Sequence, residues 1–294
     1  MTTQNAQRGI WLMIAAVTVF ALQDGFSRHL ASTYNVFMVI MIRYWFFAAF
    51  VIALALRKPG GLRATLRTRH PILHSLRAIL LIAEVCVIVL GYTKIGLINS
   101  HAIFAVCPLL IAGLSVPLLG EKVAWPTWVA IGAGFAGVLI ILQPGSGVFT
   151  LAALLPLTAA TMFALYSLLT RLTTRDEPAF LSLFWSGVIG AALLTVLGLP
   201  AWQPMTALDW LFMIVYALLA LLANWLLIRC YDVSEASAVQ PFAYLQIVLV
   251  SIVGITVYDE VLRPSVVLGT AVVVSAGLFI LLHGQIKSRR AAPE

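Results

Sequence analysis

Residues 37–56 read FMVIMIRYWFFAAFVIALAL and contain one charged side chain, Arg43. Twenty helical residues, each rising about 1.5 Å, match the roughly 30 Å hydrocarbon core of a bilayer. The same length and apolar character recur along the chain, which predicts ten membrane-spanning segments. They lie at about 10–30, 37–56, 74–94, 98–119, 125–143, 149–170, 180–200, 208–230, 236–258 and 264–283.

The composition excludes an ordinary soluble protein. Of the 294 residues, 62% are hydrophobic and 10% are charged, whereas soluble domains are about 45–50% apolar and about 25% charged. The connections between the segments are too short for a soluble domain. The segments also lack the period-two alternation of barrel strands. We therefore predict an all-α polytopic membrane protein with ten transmembrane helices.

The distribution of positive charge predicts the orientation. The first apolar run is too long for a cleaved signal and reads as the first span. With the N-terminus in the cytoplasm, the cytoplasmic segments hold 14 of the 18 lysines and arginines, as the positive-inside rule requires. We expect both termini in the cytoplasm and the chain in a bacterial inner membrane. The net charge of +7 is then explained by topology and by membrane lipid, not by nucleic acid.

Polar landmarks indicate an internal repeat. Phe20-Ala21-Leu22-Gln23, with Arg28 five residues on, is matched by Phe163-Ala164-Leu165-Tyr166, with Arg171 five residues on. Glu121 before Pro126 is likewise matched by Glu260 before Pro264. The pattern predicts two five-helix repeats, residues 1–147 and 148–294. Because five is odd, the second repeat is inverted, which is common among secondary transporters.

The order of these landmarks resembles a known family. It comprises Arg77, Ala102-Ile103-Phe104, Pro108-Leu109, Gly120-Glu121-Lys122-Val123 and Gly134-Phe135-Ala136-Gly137-Val138, then Ala236-Ser237-Ala238, Pro241-Phe242, Tyr244 and Asp259-Glu260-Val261. This resembles the EamA-type halves of the drug/metabolite transporter superfamily, and within it the YddG-type exporters of aromatic amino acids. The resemblance implies ten helices around a central cavity shared by spans 1, 3, 4, 6, 8 and 9. Asn224 departs from it, since many relatives have a histidine there.

Glu84 is the most informative polar residue, because it lies at the centre of predicted span 3. A charge at mid-bilayer costs at least about 2.5–3.5 kcal/mol, so such residues usually face the bundle interior. Glu84 could carry a proton or pair with a substrate ammonium group. Alternatively it is structural, either protonated or paired with Arg77 seven residues back. Its counterpart in the second repeat is Ala223 or Asn224.

Other polar residues at depth extend the candidate site. Asp24 and Arg28 are four residues apart on one face of span 1, and Arg43 could join them, as a structural ion-pair cluster or an outer gate. His101 opens span 4 and aligns with Gln240 of span 9. The remaining candidates in span 9 are Tyr244, one turn after Gln240, and Gln246, which lies about 200° from Tyr244 around the helix at 100° per residue.

Two aromatic residues and one glycine motif complete the survey. Tyr166, the repeat partner of Gln23, and Trp185 lie deep enough to form an apolar cavity wall together with Tyr244. The glycines of 132–137 match a dinucleotide-binding motif, but no strand precedes them, so they favour close helix packing instead. We expect no metal site and no cofactor.

The sequence thus predicts a carrier, not an enzyme, since no nucleophile and base occur together at interface depth. We expect alternating-access export of small amphipathic metabolites, most simply amino acids including aromatic ones. The alternative is a multidrug efflux transporter that exchanges lipophilic cations for protons. Proton coupling is possible in both cases. The candidate substrate-binding residues are Gln23, Glu84, His101, Tyr166, Trp185, Asn224, Gln240, Tyr244 and Gln246; the gate or ion-pair candidates are Asp24, Arg28 and Arg43.

Overall fold

The computed structural model describes residues 3–120, 125–143, 150–173, 177–233 and 242–291. Within these ranges every regular element is helical. The α-helices are α1 Thr3–Thr33, α2 Val36–Leu56, α3 Gly61–Thr65, α4 Pro71–Phe104, α5 Cys107–Leu119, α6 Trp125–Leu142, α7 Leu154–Thr173, α8 Ala179–Gly198, α9 Ala207–Val233, α10 Leu245–Tyr258 and α11 Pro264–Ala291. Short 3₁₀ helices at Leu151–Ala153 and Leu199–Ala201 precede α7 and follow α8.

The chain is a multi-pass membrane protein. Among the described residues, seven helices are long and apolar enough to cross a bilayer, namely α1, α2, α4, α6, α7, α8 and α9. Shorter apolar helices occur at Cys107–Leu119, Leu245–Tyr258 and Pro264–Ile280. The all-helical class and multiple spans are therefore confirmed, and length and composition support seven of the ten predicted spans.

Helix α4 is interrupted at Gly96. The glycine has φ 85° and ψ 171°, which is non-helical, and glycine is the residue that adopts positive φ at least cost. Residues before the break correspond to predicted span 3. Residues after it, together with α5, correspond to predicted span 4. The break therefore lies where the sequence predicts the end of one span and the start of the next.

The helices pack as two related halves. The most extensive contacts join α1 to α9, α4 to α7, α2 to α8 and α6 to α11. Under the repeat alignment, α1 corresponds to α7 and α9 corresponds to α4. The α1–α9 and α4–α7 contacts are therefore equivalent, as a two-fold relation between the repeats requires.

Glycine permits a close approach between α6 and α11. A Cβ atom on Gly137 would lie 2.8 Å from the carbonyl oxygen of Gly269, and a Cβ on Gly269 would lie 2.5 Å from the oxygen of Gly137. A larger side chain at either position would separate the two backbones. Gly134, whose added Cβ would meet the Leu109 side chain, and Gly137 are therefore packing residues, as expected for this motif, whereas Gly132 has no atom within 4 Å of a Cβ position.

Burial distinguishes the interior from the lipid-facing surface. Five consecutive apolar residues of α2, Met38–Ile42, are at most 2% exposed, so this part of the helix is enclosed on all sides, whereas Trp45 and Leu56 further along it are 37% and 63% exposed. Trp11, Leu218 and Ile252 are between 53% and 71% exposed. Large exposed apolar side chains on spanning helices are expected where a helix faces lipid, since lipid tails are themselves apolar.

Candidate functional site

A cavity of about 870 Å³ lies between the helices. Its wall draws on α1, α2, α4, α5, α7, α9 and α10, with single contributions from α6 and α11 and two residues from α8. These include the helices of all six spans that the family resemblance assigns to a central cavity. The volume lies within the roughly 300–1,000 Å³ range of small-molecule sites.

The cavity brings together most of the residues predicted from sequence. Gln23, Asp24, Arg43, Glu84, His101, Tyr166, Asn224, Tyr244 and Gln246 line it. Both Tyr244 and Gln246 reach the cavity because α10 starts at residue 245, with Tyr244 as its N-cap, so the two are not on one continuous helix. Gln240 lies outside the described residues.

Trp185 is not part of this wall. Its ring contacts Phe184, with the ring centres 6.1 Å apart, and it packs on the cluster that contains Val51 and Ala55. From α8 the cavity is lined by Leu183 and Ser186 instead. Since residues 100° apart on a helix face different directions, the prediction located the correct helix but the wrong face.

Asp24 is held by neighbours from three helices. Its Oδ2 atom lies 3.1 Å from Nε2 of His101 in α4 and accepts a hydrogen bond of 3.1 Å from the Gln246 amide of α10. Its Oδ1 accepts a 3.4 Å hydrogen bond from Gln23. With 6% exposure, this carboxylate is buried and accepts hydrogen bonds from Gln246 and Gln23. The His101 contact has ion-pair distance without hydrogen-bond geometry.

Arg28 and Arg43, which the sequence grouped with Asp24, have other partners. Arg28 forms an ion pair with Glu260. Arg43 donates a 3.1 Å hydrogen bond to the Tyr216 hydroxyl. The expected cluster of Asp24, Arg28 and Arg43 is therefore corrected, because tertiary contacts with the second repeat replace the local pairing of Asp24 with Arg28.

Arg28 and Glu260 are the centre of what we call the Glu260 cluster. The two Glu260 oxygens accept hydrogen bonds from the backbone N–H groups of Leu97 (2.7 Å) and Ile98 (2.9 Å), directly after the break in α4. The Arg28 guanidinium also lies 4.0 Å from the ring centre of Tyr258. Glu260 thus caps a helix start, where N–H groups lack helical partners, and joins α1 to α4.

Glu84 has no comparable partners. It is 6% exposed and lines the cavity, yet it makes no hydrogen bond or ion pair within the described part of the chain. The charged groups that interact with it electrostatically are Arg43 and Asp24. Arg77, the partner considered from sequence, is instead bonded to Thr170 (2.8 Å).

Arg77 belongs to a second buried assembly, which we call the Glu177 cluster. Glu177 accepts hydrogen bonds from the Thr68 hydroxyl (2.9 Å) and the Arg69 N–H (2.5 Å), and lies 2.7 Å from His74 Nε2. His74 Nδ1 in turn lies 3.2 Å from Arg77 Nη1. His74 and Arg77 are 0% and 1% exposed.

The pKa of Glu177 is lowered from its ordinary value. Burial alone would raise it, but the Arg69 N–H, the His74 ring and the Thr68 hydroxyl all stabilise the carboxylate. The sequence survey missed this residue. One signal in the sequence could have identified Glu177. It is an acidic residue in a connection that is predicted to lie on the same side of the membrane as the strongly basic segment 57–77.

Aromatic rings form much of the remaining wall. The rings of Tyr92 and His101 are stacked, with centres 5.3 Å apart and an interplanar angle of 13°. Phe163 contacts both Phe104 and Tyr166, at centre distances of 5.8 and 5.7 Å. The cavity therefore offers aromatic faces beside a small number of polar groups, as is typical of sites for small organic molecules.

Comparison with known proteins agrees with this architecture. The model of the EamA-like transporter family matches twice, at residues 7–143 and 150–282. A solved crystal structure is similar over 97% of this chain and 99% of its own, with a TM-score of 0.60 and 17% identity, which supports the fold. The first match lies within residues 1–147 and the second within residues 148–294.

Named relatives extend over nearly the full length. A riboflavin transporter of Vibrio cholerae is 31% identical over 288 residues, which cover 97% of this chain and 96% of that protein. A riboflavin transporter of Brucella anthropi is 29% identical, with 95% and 100% coverage. An S-adenosylmethionine uptake transporter of Rickettsia prowazekii is 24% identical, with 92% and 91% coverage. With two family matches and a full-length relative above 30% identity, this chain belongs to the EamA-like transporter family and is a membrane transporter, not an enzyme.

Proposed function

We propose that this protein is an uptake carrier for riboflavin or a closely similar heteroaromatic metabolite. The observation that carries the proposal is the full-length similarity to the Vibrio cholerae riboflavin transporter, together with an aromatic-lined cavity of matching character. Fused planar rings gain from offset or edge contacts with aromatic side chains. The Tyr92–His101 and Phe163–Tyr166 pairs offer such faces.

The expectation of amino-acid export receives less support. The relatives described above are named for riboflavin or S-adenosylmethionine. A single amino acid would also leave much of a cavity of about 870 Å³ unfilled. A larger substrate would cover more of the aromatic wall and remove more apolar surface from water.

S-adenosylmethionine is the second candidate. Asp24 and Glu84 both line the cavity, and carboxylates in a low-dielectric site favour a cationic ligand. The same feature would suit lipophilic cations, the efflux alternative raised by the sequence. Arg43 and Tyr216 in turn could contact a carboxylate or a carbonyl group of the substrate.

We further propose that ten helices span a bacterial inner membrane as two inverted repeats, with both termini in the cytoplasm. Residues 97–119, the α10 region and α11 would supply the three spans beyond the seven long helices. The distribution of Lys and Arg and the equivalence of the α1–α9 and α4–α7 contacts support this arrangement. Impermeant labelling of single cysteines within residues 57–73 and in the C-terminal tail tests it; reactivity from opposite sides would contradict it.

Transport into liposomes that contain the purified protein tests the substrate. We expect saturable uptake of riboflavin, measured with and without an imposed pH gradient to detect proton coupling. S-adenosylmethionine, tryptophan and tetraphenylphosphonium form parallel arms. Transport of tryptophan alone would favour the amino-acid hypothesis, transport of tetraphenylphosphonium alone would favour multidrug efflux, and either result would overturn the riboflavin proposal.

A further inference from the structure

The two carboxylates of the cavity, Asp24 and Glu84, differ in the number of polar partners that they have. Asp24 has His101 and Gln246 at 3.1 Å and Gln23 at 3.4 Å. Glu84, equally buried at 6% exposure, has no hydrogen-bonded or ion-paired partner among the described residues. A buried carboxylate without partners is costly, so the difference identifies Glu84 as the group with most to gain from a ligand.

The nearby Arg43 does not supply Glu84 with the hydrogen-bonded partner that it lacks. Arg43 is the positive side chain that acts on Glu84, but its Nη1 is bonded to the Tyr216 hydroxyl at 3.1 Å and its guanidinium lies 5.4 Å from the Tyr216 ring centre. The Tyr216 hydroxyl is also bonded to Ser27, at 3.3 Å. Arg43 is thus bonded to α9, and Tyr216 in turn to α1, while Glu84 belongs to α4.

We propose that Glu84 forms a cation subsite within the cavity, which takes a sulfonium or ammonium group of the substrate, and that Asp24 does not. The proposal rests on the transporter function proposed above and concerns its cationic candidates, since riboflavin carries no sulfonium or ammonium group. In this cavity a heteroaromatic ring would lie on the aromatic wall, while Glu84 would determine whether a positively charged substituent is favoured. Glu84 would then be a specificity-determining residue, and Asp24 a positioning residue for His101 and Gln246.

The charged and titratable groups around Glu84 are consistent with a single cationic occupant. The groups that interact with it electrostatically are Arg43 and Tyr44 of α2, Asp24 of α1, Cys86 and Tyr92 of α4, and Cys107 of α5. One of these groups, Arg43, is a cation, and its Nη1 is bonded to the Tyr216 hydroxyl. An added positive charge would meet two carboxylates, of which one has free oxygen atoms.

Binding of two matched ligands tests the proposal. S-adenosylmethionine and S-adenosylhomocysteine differ by one methyl group and the positive charge on sulfur. Equilibrium dialysis with the purified full-length protein should show at least about tenfold tighter binding of the sulfonium, the size expected for a charge-assisted contact. Glu84→Gln should abolish this preference while retaining binding of S-adenosylhomocysteine and riboflavin. Asp24→Asn should still bind S-adenosylmethionine clearly more tightly than S-adenosylhomocysteine.

Controls separate a specificity role from loss of folding. Glu84→Asp keeps the charge and should restore part of the preference. Asp259→Asn, at an exposed position in the left-handed region (φ 52°) that asparagine tolerates, should behave as the unmodified protein. Gel filtration and thermal unfolding check that each variant is folded.

Several results would overturn the proposal. The first is that the unmodified protein binds neither ligand or binds both equally well. The second is that Glu84→Gln keeps the preference for the sulfonium, or that Asp24→Asn alone removes it. The third is that a folded Glu84→Gln loses the binding of both ligands to the same extent. Riboflavin uptake is measured on the same preparations. Absence of uptake with a normal sulfonium preference would contradict the proposed transport function alone, so the two failures are distinguishable.

Discussion

The Glu260 cluster and the Glu177 cluster join the same two halves of the molecule by different means. In both, a carboxylate of residues 148–294 binds groups of residues 1–147 on or beside α4. Glu260 pairs directly with the Arg28 charge and caps the break after Gly96. Glu177 is bound by an uncharged hydroxyl, a backbone N–H and a histidine.

This difference indicates how each connection can be released. The Glu260 cluster depends on opposite charges and on a glycine conformation, so a local substitution should open it. The Glu177 cluster depends on the ionisation of one carboxylate, so acidity should weaken it. Under the proposed orientation the first faces the outside and the second the cytoplasm. An alternating-access carrier must release each side in turn, and the following predictions compare the two.

The largest effect should follow Glu260→Gln. The change removes the Arg28 ion pair and weakens two backbone hydrogen bonds, and breaking a buried pair costs roughly 3–5 kcal/mol. Because the side chains of Arg28 and Glu260 are 19% and 11% exposed, we expect about 2 kcal/mol, a roughly thirtyfold shift toward opening at that side. The measurement is the rate at which an impermeant maleimide labels a cysteine introduced at Ser27.

Two controls accompany this measurement. Asp259→Asn alters the neighbouring acidic residue, which is exposed, and should leave the labelling rate unchanged. The protein without the introduced cysteine reports any reaction of Cys107, which also lines the cavity. Equal labelling of Glu260→Gln and the unmodified protein would show that the Glu260 cluster does not hold this side closed.

Gly96→Ala should have the next largest effect, on stability. A Cβ atom at this position would lie 2.6 Å from a Glu260 oxygen, and φ is +85°, so alanine adds about 1–2 kcal/mol of left-handed strain and displaces Glu260. Gly132→Ala is the matched control, because nothing lies within 4 Å of a Cβ there and alanine stabilises a helix interior by about 0.5–1 kcal/mol. Thermal unfolding temperatures should therefore move in opposite directions; equal temperatures would contradict the structural role of Gly96.

The contribution of the Glu177 cluster to stability should depend on pH. Since the pKa of Glu177 is lowered on folding, its stabilising contribution is complete above the ordinary value of 4.5 and is lost as the pH falls through the lower folded-state pKa. The unmodified protein should therefore unfold at a higher temperature than Glu177→Gln at neutral pH. The difference should shrink toward about pH 3. A constant difference over this range would rule out ionisation as the source of the stability.

How far the sequence could predict these features depends on the range of the interaction. Apolar runs and small residues predict the helices, the break near residue 96 and the packing of α6, because these follow from local composition. The partner of Arg28 could not be predicted, because Asp24 is four residues away on the same helix whereas Glu260 is 232 positions along the chain. The prediction for Trp185 was wrong for a similar reason, since the hydrophobic pattern of α8 does not indicate which face of the helix borders the cavity.

The smallest effect concerns Tyr166, which connects the Glu177 cluster to the cavity. Its hydroxyl accepts a long, 3.5 Å hydrogen bond from Arg77, while the Arg77 guanidinium lies 5.0 Å from the ring centre. Tyr166→Phe keeps the ring, which carries the cation–π contact of about 0.5–1 kcal/mol, and should change the KM for riboflavin by less than about threefold. Tyr166→Ala removes the ring from the cavity wall and should raise the KM by about tenfold or more, since losing a buried aromatic ring costs several kcal/mol. If Phe and Ala proved equally harmful, the hydroxyl and its bond to Arg77 would matter more than the aromatic face. The substrate site and the Glu177 cluster would then act as one hydrogen-bonded unit.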